Sequence, residues 1–271
     1  QIADSVAYQL ALKTDSILSI TQSLAETNYT VPSWTKFLMA KKVVSNNPTE
    51  SAVNNLGAAI TNLEPAEKPY AISMTFNGDP ASRLGFTWYT NAGVTGGKIE
   101  IVAGIASDAT SFSSPLISIN ATCKALDNVN YNVSSNNLST LADIANNSKR
   151  SYVCNKVLVT GLTPNTTYSY RVGKDGAWSE IGTFTTAKAT NDNFSFVYIA
   201  DTQANTVENF EVSEKTTHAA QKMFPNANFW LQSGDLIETS GATNSEWEWE
   251  QYFQTNQDIL MKKPLVAVVG N

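Results

Sequence analysis

The sequence is poor in charge, in histidine and in cysteine. Only 15% of its 271 residues are charged, and 18 Lys and Arg stand against 24 Asp and Glu. No basic run is present that could neutralise a phosphate backbone, which argues against a nucleic-acid partner. No stretch approaches the roughly 20 apolar residues of a membrane-spanning helix, so we expect no membrane span. With 42% hydrophobic residues the chain can still bury real cores, and we expect a folded protein.

The two cysteines, Cys123 and Cys154, are too few for a four-ligand zinc site. They lie in a segment rich in Asn and Ser, over about 105–155, that we interpret as a loop-rich excursion. The hydroxyl-rich composition of low charge favours an extracellular, secreted protein. Because an oxidising compartment favours disulfides, we predict a bond between Cys123 and Cys154.

The first of three predicted domains covers residues 1–66. Apolar residues at helical spacing predict three helices, each with one apolar stripe, that close a three-helix bundle independent of the rest. The segment carries Tyr29-Thr30, Ser33-Trp34, Phe37 and the run Ala58-Ala59-Ile60-Thr61-Asn62-Leu63. These residues resemble the FIVAR modules of bacterial surface proteins. The resemblance implies association with a cell wall or cell surface through this module.

Residues 67–190 form the second predicted domain, in which the apolar period changes to two. Leu84, Phe86 and Trp88 alternate with other residues, which predicts β-strands. Leu162-Thr163-Pro164 before Tyr168 resembles the tyrosine corner of fibronectin type III-like domains. The motifs are Thr87-Trp88-Tyr89-Thr90, Gly161-Leu162-x-Pro164 and Tyr168-x-Tyr170-Arg171-Val172-Gly173. Together they resemble the β-sandwich that precedes the catalytic domain in purple acid phosphatases.

Residues 191–271 form the third predicted domain and contain three apolar runs separated by helical stretches. This alternation predicts a parallel sheet. The runs lead into Asp201, Gly234-Asp235 and Gly270-Asn271. Ligands of such sheets collect beyond the carboxyl ends of the strands, so two carboxylates and an amide are expected to converge there. Oxygen donors of this kind suit divalent or trivalent cations.

The motifs at these run ends are Asp201-Thr202-Gln203, Gly234-Asp235-Leu236-Ile237-Glu238 and Gly270-Asn271. They resemble those of the calcineurin-like metallophosphoesterases, so residues 191–271 look like the first part of such a domain. The resemblance implies a phosphatase that acts on a phosphoester small molecule or a nucleotide. Two metal ions of the Fe, Zn or Mn class would generate a hydroxide and hold the phosphoryl oxygens.

The same resemblance assigns roles to single residues. Asp201 would bind the first metal, Asp235 would bridge both, and Asn271 would bind the second. Gln203 stands where many members have a metal-binding His, and Glu238 stands where purple acid phosphatases have a metal-binding Tyr. Each of these two is a ligand or a close neighbour of the metals.

No catalytic residue is expected within this chain, because the family's histidines would follow Asn271. The chain by itself is therefore expected to be an inactive part with its metals partly bound or absent. His218, the only histidine, is interpreted as a surface or packing residue, and Glu246 and Glu248 as solvated. Two functions stay open: an active phosphatase, and a surface adhesion or scaffold protein whose phosphatase-like domain has lost activity.

Overall fold

The computed structural model describes residues 2–131, 148–190, 193–239 and 246–270. The helices are α1 (Ile2–Thr21), α2 (Val31–Asn46), α3 (Glu50–Thr61), α4 (Val207–Met223) and α5 (Glu246–Leu260). The first strands are β1 (Tyr70–Thr75), β2 (Leu84–Asn91), β3 (Lys98–Ala103), β4 (Ile117–Asn120), β5 (Thr122–Tyr131) and β6 (Ser148–Val159). They are followed by β7 (Thr167–Lys174), β8 (Ala177–Trp178), β9 (Gly182–Thr185), β10 (Phe196–Ile199), β11 (Phe229–Gln232) and β12 (Leu265–Ala267). Within these ranges no helix has the length and apolar character to cross a membrane.

The helices α1, α2 and α3 share one hydrophobic cluster. Phe37, Val44 and Leu56 are its most deeply buried members. The helix α3 contacts both α1 and α2. It begins after Thr49, whose side chain accepts a hydrogen bond from the Ala52 N–H at 3.1 Å and thereby caps the helix.

The middle of the chain is a β-sandwich of two antiparallel sheets. One sheet has the order β1-β2-β6-β5, and the other has the order β4-β3-β7-β8 with β9 also paired to β7. Residues along β2 alternate strictly between buried and half-buried, as the period of two predicts. Leu84, Phe86 and Trp88 point into the core and meet Ile99 and Tyr170 from the opposite sheet.

The tyrosine corner is present in the sandwich. The hydroxyl of Tyr168, near the start of β7, accepts a hydrogen bond from the Thr163 N–H at 2.9 Å. Tyr168 is almost fully buried, and its ring stacks on Phe184 of β9 at 5.4 Å between centroids. The loop before β7 is thus tied to the strand, as in fibronectin type III-like domains.

The predicted disulfide is wrong, and so is the loop-rich excursion in its described part. The strands β4, β5 and the greater part of β6 lie within 105–155 and belong to the two sheets. Cys123 of β5 pairs with Asn155 of β6, whereas Cys154 pairs with Lys124. Because successive side chains of a strand point to opposite faces, the two thiols project from opposite faces of the sheet. Both cysteines are free, and the Cys123 Sγ lies 3.0 Å from the Asn155 Oδ1.

The last part of the described chain forms a parallel sheet in the order β10-β11-β12. Ile199 at the end of β10 pairs with Gln232 at the end of β11, and Gln232 pairs with Ala267 at the end of β12. The helix α4 connects the first two strands and α5 lies between the last two. The three strands therefore end level with one another at one edge.

The sandwich is joined to α5 by a side-chain amide. The strand β1 has an irregular register between Tyr70 and Ser73, where Ala71 adopts a positive φ of 50°. Gln257 of α5 accepts a hydrogen bond from the Ile72 N–H at 2.9 Å and donates one to the Ile72 carbonyl at 2.7 Å. One glutamine thus satisfies both backbone groups that the irregular strand presents to it.

The helical segment is also tied to the other two. The side-chain amide of Asn91 in β2 accepts a hydrogen bond from the Val31 N–H at 3.2 Å and donates one to the Tyr29 carbonyl at 2.7 Å. Val31, Tyr131 and Trp247 belong to one buried cluster, although they come from α2, β5 and α5. The three segments thus contribute side chains to one buried cluster. That residues 1–66 fold independently of the rest stays a prediction.

Candidate metal centre

The candidate metal centre lies at the edge where β10, β11 and β12 end. Asp201 follows β10 by two residues, and Asp235 follows β11 by three. Both residues have a left-handed backbone, with φ of 54° at Asp201 and 49° at Asp235. A non-glycine residue in this conformation is uncommon and is favoured where a side chain must be turned in a particular direction. The chain therefore makes the same costly turn after two neighbouring parallel strands.

The loop after β12 crosses directly over the Gly234-Asp235 turn. Gly234 has a φ of 107°, and a side chain added to it would come within 2.7 Å of the Gly270 Cα. A Cβ at Gly270 would overlap the Asp235 Oδ1. Glycine is needed at both positions because the two backbones approach so closely. The carboxylate of Asp235 is thus packed against the residue that precedes Asn271.

The segment that follows Asp235 is anchored by a buried carboxylate. Glu248 of α5 is 0% exposed, and its Oε2 accepts hydrogen bonds from the N–H groups of Glu238 at 3.0 Å and Thr239 at 2.9 Å. Its Oε1 accepts a third from the Thr239 hydroxyl at 2.8 Å. Burial raises the pKa of Glu248, and the bonds from Thr239 and Glu238 oppose that rise. The interpretation of Glu248 as solvated was wrong, because it binds backbone donors of the loop beside the site.

The segment that follows β10 is held by a chain of polar groups. The Gln232 side chain, at the end of β11, donates to the Thr202 hydroxyl at 3.4 Å. The Tyr252 hydroxyl of α5 donates to the Gln232 Oε1. Gln232 and Tyr252 are both almost fully buried, and burial raises the pKa of Tyr252. Thr202, which follows Asp201, is therefore held by a hydrogen-bonded chain of two uncharged side chains, Gln232 and Tyr252.

The structure places the predicted site residues at different exposures. Asp201 and Glu238 are exposed, whereas Gln203 and Asp235 are half-buried. Asn271 lies outside the described residues. The donors at this edge are carboxylate and amide oxygens, which fit hard cations.

The single histidine lies elsewhere. His218 is on α4, where its Nε2 lies 3.0 Å from the Asp258 Oδ1 of α5 and its Nδ1 lies 2.8 Å from the Glu214 carbonyl. Over the described ranges, no three His, Cys, Asp or Glu residues are grouped so that they could hold a metal ion. The described part of the edge consequently offers oxygen donors without a nitrogen donor.

Sequence reasoning missed the residues that support this edge. Glu248, Gln232 and Tyr252 have no motif around them, and their role depends on the packing of α5 against the sheet. The available signal was the row of alternating Glu and Trp from Glu246 to Glu250, which is unusual for a solvated surface.

Comparison with known proteins found a family model that is similar to the sandwich. Residues 69–186 match the family model of the purple acid phosphatase N-terminal domain. A search of curated proteins gave no match. Among solved structures, the chain is similar to PhoD at 14% identity and a TM-score of 0.44, covering 76% of this chain and 40% of that one. It is also similar to the FN1–FN3 domains of chicken CNTN1, at 16% identity and a TM-score of 0.26, covering 46% of this chain and 31% of that one.

These structural likenesses are too weak to carry an argument, and the chain spans less than half the length of either structure. The family match covers less than half of the chain, and the sandwich sheets and the tyrosine corner fall inside it. Over residues 69–186 the chain is therefore similar to the purple acid phosphatase N-terminal domain.

Proposed function

We propose that the chain forms part of a metal-dependent phosphoester hydrolase whose metals bind at the edge of the parallel sheet. The observation that carries the proposal is the position of Asp201 and Asp235 just after two neighbouring parallel strands, with the Gly270 turn packed against Asp235. The sandwich that precedes this sheet matches the family model of a phosphatase N-terminal domain, which supports a phosphoester as the substrate class.

The residues at this edge fit two cations. Asp201 would bind the first, Asp235 would be shared between both, and Asn271 would bind the second. Two cations held together would supply an activated water and would neutralise the oxygens of the phosphoryl group. Gln203 offers an amide oxygen that can ligate or orient a water, and Glu238 offers an exposed carboxylate at the rim.

We also propose that the 271 residues alone bind metal weakly and do not turn over substrate. The donors available at the edge are oxygens, and the one histidine of the sequence pairs with Asp258 instead. A tight site of the Fe, Zn or Mn class is favoured by imidazole ligands in addition to carboxylates. A complete enzyme would have to draw those ligands from residues outside this chain.

The second candidate is a surface adhesion or scaffold protein with an inactive phosphatase-like domain. The observation that favours it is that Gln203 and Glu238 occupy the positions of metal ligands in the families that the motifs resemble. Under either proposal the composition favours an extracellular location, with the FIVAR-like helices as the segment that associates with a cell wall or surface.

Metal titration tests the assignment of the ligands. Mn²⁺ is titrated into the chain by calorimetry, with Asp235→Asn, Asp201→Asn and the exposed Asp15→Asn as the matched control. Asp235→Asn should weaken binding the most, because a shared carboxylate balances the charge of two cations and an amide does not. Asp15→Asn should bind as the parent chain does. Measurable Mn²⁺ binding that is the same in the parent chain and in Asp235→Asn would show that the metals bind elsewhere.

Hydrolysis distinguishes the two functions. In the complete enzyme, p-nitrophenyl phosphate and bis(p-nitrophenyl) phosphate should be hydrolysed with Mn²⁺ or Zn²⁺ present, and Asp235→Asn should abolish turnover. Full metal occupancy without turnover of either substrate would favour the scaffold. Gln203→His adds a direct test, because an imidazole at this position should shift the preference of the first site toward Zn²⁺.

A further inference from the structure

A cavity of about 670 Å³ lies where the helical segment, the sandwich and α5 meet. Its volume falls within the range of small-molecule sites, about 300–1,000 Å³. Among the described residues, neither Asp201 nor Asp235 lines it. The cavity is therefore separate from the candidate metal centre, and the proposed function leaves it unexplained.

Aromatic side chains make up much of the wall that a ligand can touch. Trp249 and Phe253 line the cavity from α5, with their ring centroids 6.2 Å apart. Tyr70 and Tyr89 line it from the sandwich, with their rings edge to face at 6.4 Å. All four side chains are half-buried, so part of each is open to the cavity. The accessible wall consequently offers aromatic surface.

Several polar atoms of the lining residues lie behind this wall. They are the hydroxyls of Tyr70 and Tyr152, the Glu250 Oε2 and the Gln254 Oε1, and all four are enclosed by the protein. A ligand in the cavity cannot form hydrogen bonds with them. A ligand that carries several hydrogen-bond donors is therefore disfavoured, because each donor that leaves water without a new acceptor weakens binding.

One carboxylate is available to a ligand. Glu246, the first residue of α5, lines the cavity and is half-buried. Burial raises its pKa, and within the described ranges no hydrogen bond or ion pair of its carboxylate opposes that rise. Burial also raises the pKa of Tyr70, Tyr89 and Tyr152, and the charge of this carboxylate adds to the rise in each. An unpaired negative charge thus lies beside three tyrosines of the cavity.

The other charges of the lining leave it negative. It contains four carboxylates and two ammonium groups, which belong to Glu64, Glu180, Glu246 and Glu250 and to Lys36 and Lys68. The Lys68 Nζ lies 2.9 Å from the Glu64 carboxylate and 3.2 Å from that of Glu180. Burial lowers the pKa of Lys36, and the charge of Glu250 opposes that change. The net charge of the lining is negative whether or not Glu250 is protonated, which favours a cation.

We propose that this cavity binds a small organic cation with a quaternary ammonium group, of the choline class. Such a group donates no hydrogen bond, so it does not need the enclosed acceptors behind the wall. Its charge is attracted by the faces of aromatic rings such as those of Trp249 and Tyr89, and by the Glu246 carboxylate. A primary ammonium ion is less suited, because it has three donors to satisfy.

The test measures equilibrium binding by calorimetry in EDTA, so that it does not depend on the metal centre. The two ligands are choline chloride and 3,3-dimethylbutan-1-ol, an uncharged molecule of the same shape in which carbon replaces nitrogen. Choline should bind about tenfold more tightly or better, because only its charge distinguishes the two ligands.

Two variants assign the binding to the cavity. Glu246→Gln keeps the shape of the side chain and removes its charge, so it should weaken choline about fivefold and leave the alcohol unaffected. Trp249→Leu should weaken choline more than the alcohol, since it removes an aromatic ring and keeps an apolar side chain. Glu208→Gln is the matched control, the same change at an exposed residue in the first turn of α4, and should not alter either affinity.

The unfolding midpoint of the ligand-free chain separates binding from stability. Glu246→Gln should not lower it, because the carboxylate that it replaces has no ion-pair partner among the described residues. Absence of choline binding would overturn the proposal, and so would equal affinities for choline and the alcohol. Choline binding that neither Glu246→Gln nor Trp249→Leu weakens would place the cation outside this cavity and overturn it as well.

Discussion

Replacing Glu250 with glutamine should make the protein more stable at alkaline pH. Burial raises the pKa of the Glu250 carboxyl to about 8, although the Tyr131 hydroxyl, Arg150 and Lys36 all oppose the rise. In the unfolded chain the same carboxyl has its ordinary pKa of 4.5. Between these values the folded state binds more protons than the unfolded state. The free energy of unfolding therefore falls as the pH rises through the folded-state pKa.

The size of the effect follows from the two pKa values. Each pH unit between them costs about 1.4 kcal/mol, so the full span from 4.5 to about 8 corresponds to at most about 5 kcal/mol. Glu250→Gln keeps an oxygen that can accept from Tyr131 and has no charge to bury. At pH 9 the variant should exceed the parent chain by a few kcal/mol, and near pH 4.5 the two should agree within about 1 kcal/mol.

Urea unfolding followed by circular dichroism, at several pH values from 4.5 to 9.5, measures this difference. Glu211→Gln, at an exposed position of α4, is the matched control and should run parallel to the parent chain at every pH. Parallel curves for the parent chain and Glu250→Gln would refute the reasoning, because they would mean that Glu250 titrates normally in the folded protein.

Three further predictions concern the sandwich and the metal edge. Tyr168→Phe should lower the free energy of unfolding by about 1–2 kcal/mol, since the Thr163 N–H loses its acceptor; an unchanged urea midpoint would contradict this. Gly270→Ala should weaken Mn²⁺ binding about tenfold or more, because the new Cβ displaces the Asp235 carboxylate; retained affinity in calorimetry would count against the site. Without reductant, Ellman's reagent should titrate the exposed Cys123 in the native chain and the buried Cys154 only after unfolding, whereas zero thiols in urea would show a disulfide.

The sequence was sufficient to predict features that depend only on residues close together in the chain. The alternation of Leu84, Phe86 and Trp88 predicts a strand with one buried face, and β2 has that face. The tyrosine corner could be recognised because Thr163 and Tyr168 are only five residues apart and their bond depends on that short loop.

Features that depend on register or on several layers could not be predicted in this way. The pairing of β5 with β6 shifts register between Leu126 and Val129. A register shift of one residue determines whether Cys123 and Cys154 lie on the same face of the sheet or on opposite faces. The burial of Glu248 also escaped prediction. The helix α5 packs against both α4 and β1, so it buries more than the single stripe that a surface helix shows. For the candidate metal centre, the sequence indicates the strand ends and the oxygen donors that follow them. It does not indicate that Gly270 crosses over Gly234.

The side-chain amide of Gln257 affects how stable the sandwich would be if it were separated from α5. It hydrogen-bonds both the N–H and the carbonyl of Ile72, although it lies 185 positions away in the sequence. A sandwich excised at residue 190 would leave those two backbone groups without that partner, at a cost of about 1–3 kcal/mol for each that water does not reach. The sandwich alone is therefore expected to be less stable than it is within this chain. In a fusion to another protein, a side-chain amide beside Ile72 would restore the two hydrogen bonds.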